Sequence, residues 1–168
     1  MPETPAQTKP AEAGAEAPGM SLYIPLDQAL VSKGSPSAPT MADVLAKSPK
    51  LIGIYYSMHD CPPCREFTPL LAALYEEVNE DSHQLEVIFF SGDKTDAQFD
   101  EYFGEMPWLA LPRAQKSIMM QNAKRFKIKG VPRLVMLRAS DGKILADQCV
   151  EDLTENGPAA MEKFLEEC

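Results

Sequence analysis

The spacing of apolar and polar positions divides the chain into a short series of elements. Residues 50–57 (KLIGIYYS) and Leu85–Ser91 (LEVIFFS) are near-continuous apolar runs, the pattern of strands covered on both faces, as in the middle of a parallel sheet. Between them, residues 62–79 carry Phe67, Leu70, Leu71, Leu74 and Val78 on one helical face. This makes a βαβ unit with a right-handed crossover, and Pro69 inside the helix predicts a kink. Thr95 and Gln98 form a capping-box pattern ahead of Phe99, Tyr102 and Phe103, which predicts a second helix. After the loop MPWLALP, Ser117 opens a third helix running to about Phe126. Arg133–Arg138 and residues 143–150, joined across Ser-Asp-Gly, read as a hairpin of two strands, with Cys149 buried on the second. Gly157 and Pro158 are expected to start a last helix with Met161, Phe164 and Leu165 on its apolar face. The predicted class is α/β, a central mixed β-sheet flanked by helices on both faces.

The ends are less patterned. Residues 21–46 offer LYIPL, ALV and MADVLA, broken by SKGSPSAP, which suggests a helical turn or edge strand, a loop and a short helix. Residues 1–20, rich in Pro, Ala and Glu, cannot bury enough apolar surface to offset their ordering entropy and are expected to be a disordered tail. That leaves residues 21–168 as one domain. With 168 residues, 45% of them apolar and 24% charged, the chain suits one domain with a single core.

Charge and cysteine usage narrow the function. A net charge of −9 argues against nucleic acid as a partner. No apolar run reaches the roughly 18 residues of a membrane span, and the N-terminus has no apolar stretch of a signal peptide. Four cysteines are too few and too scattered for a disulfide scaffold, which favours a reducing, cytoplasmic setting; the protein is expected to be a monomer. The acidity is uneven. Between Met106 and Ser140 lie Arg113, Lys116, Lys124, Arg125, Lys127, Lys129, Arg133 and Arg138 without one Asp or Glu. This is a solvated helix face or a dock for an acidic partner.

The chemistry concentrates in residues 51–65, LIGIYYSMHDCPPCR. Residues three apart on a helix have Cβ atoms about 5–6 Å apart, and disulfides need Cα atoms roughly 4.4–6.8 Å apart, so Cys61 and Cys64 can close a small ring. Pro62 and Pro63 suit the first helical positions, whose N–H groups have no intrahelical acceptor. Cys61 is then the N-cap, and because Pro63 has no N–H, the Cys64 amide is left to aim at the Cys61 sulfur. A thiolate there gains from that donor and from the helix dipole. Zinc would need four ligands, and Cys149 and Cys168 do not form a second pair. A CxxC between strand and helix reads instead as a redox motif. His59 is either a solvated loop histidine or a group that relays protons and, when charged, favours the thiolate.

Pro132 in GVPRL, between a helix and a strand, marks a strand start and is a site where a cis bond can occur. With it the chain resembles the thioredoxin superfamily. CPPCREFTPLLAALYEEV, LEVIFFSGD, DAQFDEYF and MPWLALP, in that order over roughly residues 50–150, resemble the tryparedoxin and nucleoredoxin branch. The resemblance implies a thioredoxin fold, a cis Pro132 and a Val131 backbone that pairs with a bound substrate chain. It implies a protein-disulfide reductase with catalytic Cys61 and Cys64 and no cofactor beyond their redox-active disulfide. Its partners would be disulfide proteins such as peroxidases, and its electrons would come from a low-molecular-weight thiol or a reductase. The alternative is a redox-sensing or protein-binding module with weak general reductase activity. Tyr55 stands where many thioredoxins have a buried Asp, and Asp93 aligns with an acid of the branch. Two positions depart from it: Asp60 and Gly92 stand where relatives usually have Trp. Asp60 should raise the Cys61 thiol pKa by like-charge repulsion, with Arg65 and the helix dipole opposing it.

Overall fold

The computed structural model describes residues 19–34 and 37–168; most of the expected tail lies outside them. A 3-10 turn at Met20–Leu22 leads to α1 (Met41–Ala46), β1 (Leu51–Ser57), α2 (Pro62–Val78), β2 (Leu85–Ser91), α3 (Asp96–Phe103), β3 (Leu109–Ala110), α4 (Lys116–Arg125), β4 (Arg133–Arg138), β5 (Ile144–Ala146) and α5 (Val150–Glu166). The sheet order is β3-β2-β1-β4-β5, with β1 parallel to β2, β2 to β3, and β1–β4 and β4–β5 antiparallel. Because side chains alternate along a strand, Leu51 and Tyr55 of β1 join Phe67 and Leu71 of α2, Tyr102 of α3 and Met161 and Phe164 of α5 in one core. Ile52, Ile54 and Tyr56 join Met41, Val44 and Phe126 in a second, on the opposite face. Every residue of β1 and β2 is buried, which explains their continuous apolar sequence.

Two readings of the sequence need correction. The hairpin's second strand covers only Ile144–Ala146, because the Gln148 side chain accepts from the Leu134 N–H (3.3 Å) and the Cys149 N–H donates to the Leu134 carbonyl (3.1 Å), peeling the chain off β4. Cys149, buried as expected, is therefore the N-cap of α5 and not a strand residue. A helical segment that the sequence reading did not include begins at Val150, with Glu151 and Asp152 in its first turn, where the helix dipole favours acids. Gly157 and Pro158 separate it from the last helical segment, which starts there as expected: Gly157 sits at φ 42°, a conformation glycine adopts without a Cβ penalty, just where Pro158 removes a ladder N–H. Helix α2 runs through Pro69 to Val78, in one piece as expected. The fifth strand, β3, is two residues long and is held from outside by Val31, which exchanges backbone hydrogen bonds with Ala110 at 2.7 and 3.1 Å. Lys33 then donates to the carbonyls of Phe103, Gly104 and Met106, closing the end of α3.

Glu86 lies on the stretch of β2 that β3 leaves unpaired and is 7% exposed. Burial pushes its carboxyl up to about 7, against the hydrogen bonds it accepts from the Val87 N–H and the Tyr75 hydroxyl. A carboxyl raised in the folded state contributes nothing unfavourable while both states are protonated, and destabilises as pH climbs from the ordinary Glu value through 7. Glu86→Gln, which keeps the accepting oxygen, is expected to exceed the parent in stability by about 2 kcal/mol above neutrality. The two should converge in acid, as urea unfolding across pH would show.

Candidate functional site

The site forms where β1 ends and α2 begins. Cys61 is the N-cap of α2 with Pro62 and Pro63 at the first two helical positions, and the Cys64 N–H donates to the Cys61 sulfur at 3.3 Å. The two cysteines form a disulfide across a Cα separation of 5.2 Å. Cys61 retains 9% exposure and Cys64 none, so one sulfur lies at the surface and the other behind it. The Val131–Pro132 peptide is cis, and the Val131 carbonyl oxygen lies 3.8 Å from the Cys61 sulfur. The chain thus brings Cys61, Cys64, Val131 and Pro132 to one place from two segments.

The residues leading into Cys61 are anchored from below. Asp93, buried after β2, accepts from the His59 N–H at 2.6 Å and from the Ser91 hydroxyl at 2.9 Å. Arg113 donates to the Asp93 carbonyl (3.0 Å) and pairs with Asp96. Asp93 is therefore a clamp between the turn preceding the dithiol and the turn preceding α3. His59, whose side chain is 20% exposed, lies between Asp60 (Nδ1 to Oδ1, 2.8 Å) and Glu101 (Nε2 to Oε1, 3.4 Å), with its ring edge-on to Tyr102. It is neither a freely solvated loop histidine nor in contact with sulfur. The hydrogen bond to Asp60 raises its pKa, and the same bond lowers that of Asp60. Gln98, the expected capping-box partner of Thr95, caps only by its N–H: its side chain accepts from Lys94 and donates to Asp60 at 2.8 Å. Arg65 does not face Asp60. It pairs with Glu105 at 3.1 Å, donates to the His59 carbonyl and covers the Tyr102 ring, so the counter-charge expected of it is spent elsewhere and His59 supplies it.

Tyr55 is fully buried, and its hydroxyl meets Thr68 Oγ1 at 2.7 Å; burial raises its pKa. Thr68 and Tyr102, with Ser57, complete a hydroxyl cluster behind Cys64. Spacing alone could have flagged Thr68, four residues after Cys64 on the same helical face; nothing in the sequence brings Tyr102 to it. Gly92 is exposed, and a Cβ there would meet only Met58 and the Ser57 carbonyl at 3.5 Å or more. Asp60 directly precedes Cys61, so the rim there is polar. Of the basic stretch, Arg133 and Arg138 donate to backbone or to Asp141, whereas Lys116, Lys124, Lys127 and Lys129 are exposed.

A disulfide at the head of a helix, fed by a central parallel strand and faced by a cis-proline loop, defines a thioredoxin-type dithiol/disulfide protein. The Thioredoxin-like family model matches residues 49–144. Tryparedoxin of Trypanosoma brucei brucei is 34% identical over 142 residues, covering 84% of this chain and 94% of the relative. The solved structure of tryparedoxin from Trypanosoma brucei superposes with a TM-score of 0.75 at 33% identity, over 84% of this chain and 95% of that one. Nucleoredoxin of Danio rerio is 34% identical over 113 residues, 67% of this chain but only 27% of the relative; the chain spans about a quarter of such a nucleoredoxin. A tryparedoxin II solved in complex with glutathionylspermidine has a TM-score of 0.73 at 27% identity, covering 84% of this chain and 94% of that one. The chain belongs to the thioredoxin-like oxidoreductase family, in its tryparedoxin and nucleoredoxin branch. Among the described residues no helix is long and apolar enough to cross a membrane.

Proposed function

We propose that the protein reduces disulfides of protein substrates, such as peroxidases, through Cys61 and Cys64, without a cofactor beyond that pair, in a reducing cytoplasm. The observation that carries this is the asymmetry of the disulfide: Cys61 is reachable, Cys64 is fully buried, and the Cys64 N–H points at the Cys61 sulfur. In the reduced protein, the Cys61 thiolate attacks one substrate sulfur; a mixed disulfide forms and the other substrate sulfur leaves as a thiolate that takes up a proton. Cys64, deprotonated, then attacks Cys61, forming the internal disulfide and releasing the second substrate sulfur. A low-molecular-weight thiol returns two electrons; the glutathionylspermidine bound to a related tryparedoxin supports that donor class. Val131, beside Cys61, would pair its backbone with the substrate chain.

The test is reduction of insulin disulfides driven by dithiothreitol. Turnover well above the dithiothreitol background supports the reading. Background turnover by folded, reduced protein overturns it in favour of a redox-sensing module, for which the exposed lysines of residues 116–129 would be the docking face for an acidic partner.

Asp60 tunes the nucleophile. Removing its charge with Asp60→Asn is expected to lower the Cys61 thiol pKa. While His59 is protonated it already offsets Asp60, so the difference between the two proteins should widen as pH rises through the raised His59 pKa. Thiolate absorbance against pH measures it, and a thiol pKa that stays put would dismiss the role.

A further inference from the structure

Four hydroxyls lie buried against the backbone of Cys64: Tyr55, Ser57, Thr68 and Tyr102, each no more than 2% exposed. Thr68 Oγ1 meets the hydroxyls of Tyr55 and Tyr102 at 2.7 Å each, and Ser57 Oγ meets that of Tyr102 at 2.6 Å. Thr68 also donates to the Cys64 carbonyl at 3.0 Å, with Tyr102 at 3.3 Å from the same oxygen. The hydroxyls can donate or accept; the carbonyl can only accept. Hydrogen bonds must therefore run toward Cys64. The arrangement that uses the shortest contacts has Ser57 donating to Tyr102, Tyr102 and Tyr55 donating to Thr68, and Thr68 donating to Cys64.

Stability does not account for this cluster. Each paired hydroxyl contributes only about 0.5–1.5 kcal/mol net, and replacing both partners by apolar groups of similar shape is nearly neutral. The surroundings are those of an aromatic core, with Phe67, Phe89 and Trp108 packed on Tyr55. What the hydroxyls supply is geometry. The first turn of a helix is where fraying occurs, and Pro62 and Pro63 contribute no N–H there. The cluster ties the carbonyl of Cys64 to β1 through Tyr55 and Ser57, to α2 through Thr68, and to α3 through Tyr102. We infer that this cluster, with Thr68 as its node, positions Cys64 for attack on Cys61. The inference deepens the proposed function and rests on its assignment of Cys64 as the thiol that resolves the mixed disulfide.

The experiment equilibrates the full chain with reduced and oxidised glutathione, quenches by alkylation, and determines by mass spectrometry the balance between the Cys61–glutathione adduct and the Cys61–Cys64 ring. That balance reads the effective concentration of Cys64 at Cys61, the quantity that positioning raises. Thr68→Val is expected to shift it about tenfold toward the adduct, with Thr68→Ser within about twofold of the parent. The fully apolar variant Tyr55→Phe/Ser57→Ala/Thr68→Val/Tyr102→Phe leaves no orphaned hydroxyl, is expected to fold with near-parent stability, and should show the same shift. It carries the test if Thr68→Val alone does not fold. A ring balance within about twofold of the parent in either folded valine variant, or Thr68→Ser as impaired as Thr68→Val, overturns the inference. A parent that closes its ring and shows the Thr68 dependence yet leaves insulin untouched overturns the reductase reading alone. A parent whose Cys61–glutathione adduct never closes overturns both.

Discussion

Replacing Cys61 by Ser is expected to remove all insulin reduction above the dithiothreitol background, whereas Cys64→Ser should allow a single attack and leave substrate covalently trapped on Cys61. The difference follows from where the sulfurs lie. Only Cys61 has exposure, and Cys64 can be reached by its partner alone. Cys61 must also ionise to attack. The Cys64 N–H and the start of α2 favour the thiolate, the helix end by roughly 0.3–1 kcal/mol at a surface site. Asp60 opposes them, yet its side chain is 63% exposed and hydrogen-bonded to both His59 and Gln98, so solvent screens it and its neighbours share its charge. Trapped conjugate from Cys64→Ser, released by added thiol and absent from Cys61→Ser, would distinguish the two sulfurs. Conjugate formed equally by both variants would end the assignment.

How much of this was legible in the sequence depended on how local each feature is. The buried strands, α2 and its N-cap geometry follow from continuous hydrophobicity, helical spacing and the missing N–H of Pro63, all within a few residues of one another. β3 was illegible because two residues carry no periodicity and its outer partner, Val31, lies far back in the chain. Gly157-Pro158 was legible as the boundary it is, whereas the helical segment before it was not, because the acids that mark its start, Glu151 and Asp152, are ordinary surface residues on their own. Within the site, Arg65 is close in sequence to Cys61 and was expected to oppose the charge of Asp60 there; the structure turns Arg65 toward Glu105 across a tertiary contact. The hydroxyl cluster is the extreme case. Tyr55 points inward by strand alternation and Thr68 by helical spacing, but their meeting with Tyr102 depends on how α3 packs over the sheet.

Trp108→Ala is expected to lower stability by about 3–5 kcal/mol, the range for truncating a large buried aromatic, and Trp108→Phe by far less. Trp108 is 2% exposed and stands edge-on to Tyr55 at 6.0 Å and Tyr75 at 5.6 Å. Among the described residues its indole N–H has no hydrogen-bond partner. An orphaned donor of this kind costs about 1–3 kcal/mol, so phenylalanine loses packing area but also removes that cost, and the two effects largely offset; alanine loses the area and leaves a cavity. Because Trp108 is the chain's single tryptophan, unfolding of both variants has to be followed by far-ultraviolet circular dichroism in urea. The cavity would open beside Tyr55, one of the two tyrosines that bond to Thr68, so the alanine variant should also loosen the hold on Cys64. In the glutathione equilibrium it should move in the same direction as Thr68→Val, while phenylalanine holds the parent value. If alanine matched phenylalanine in stability, Trp108 would not be the wedge that seats Tyr55 behind the dithiol.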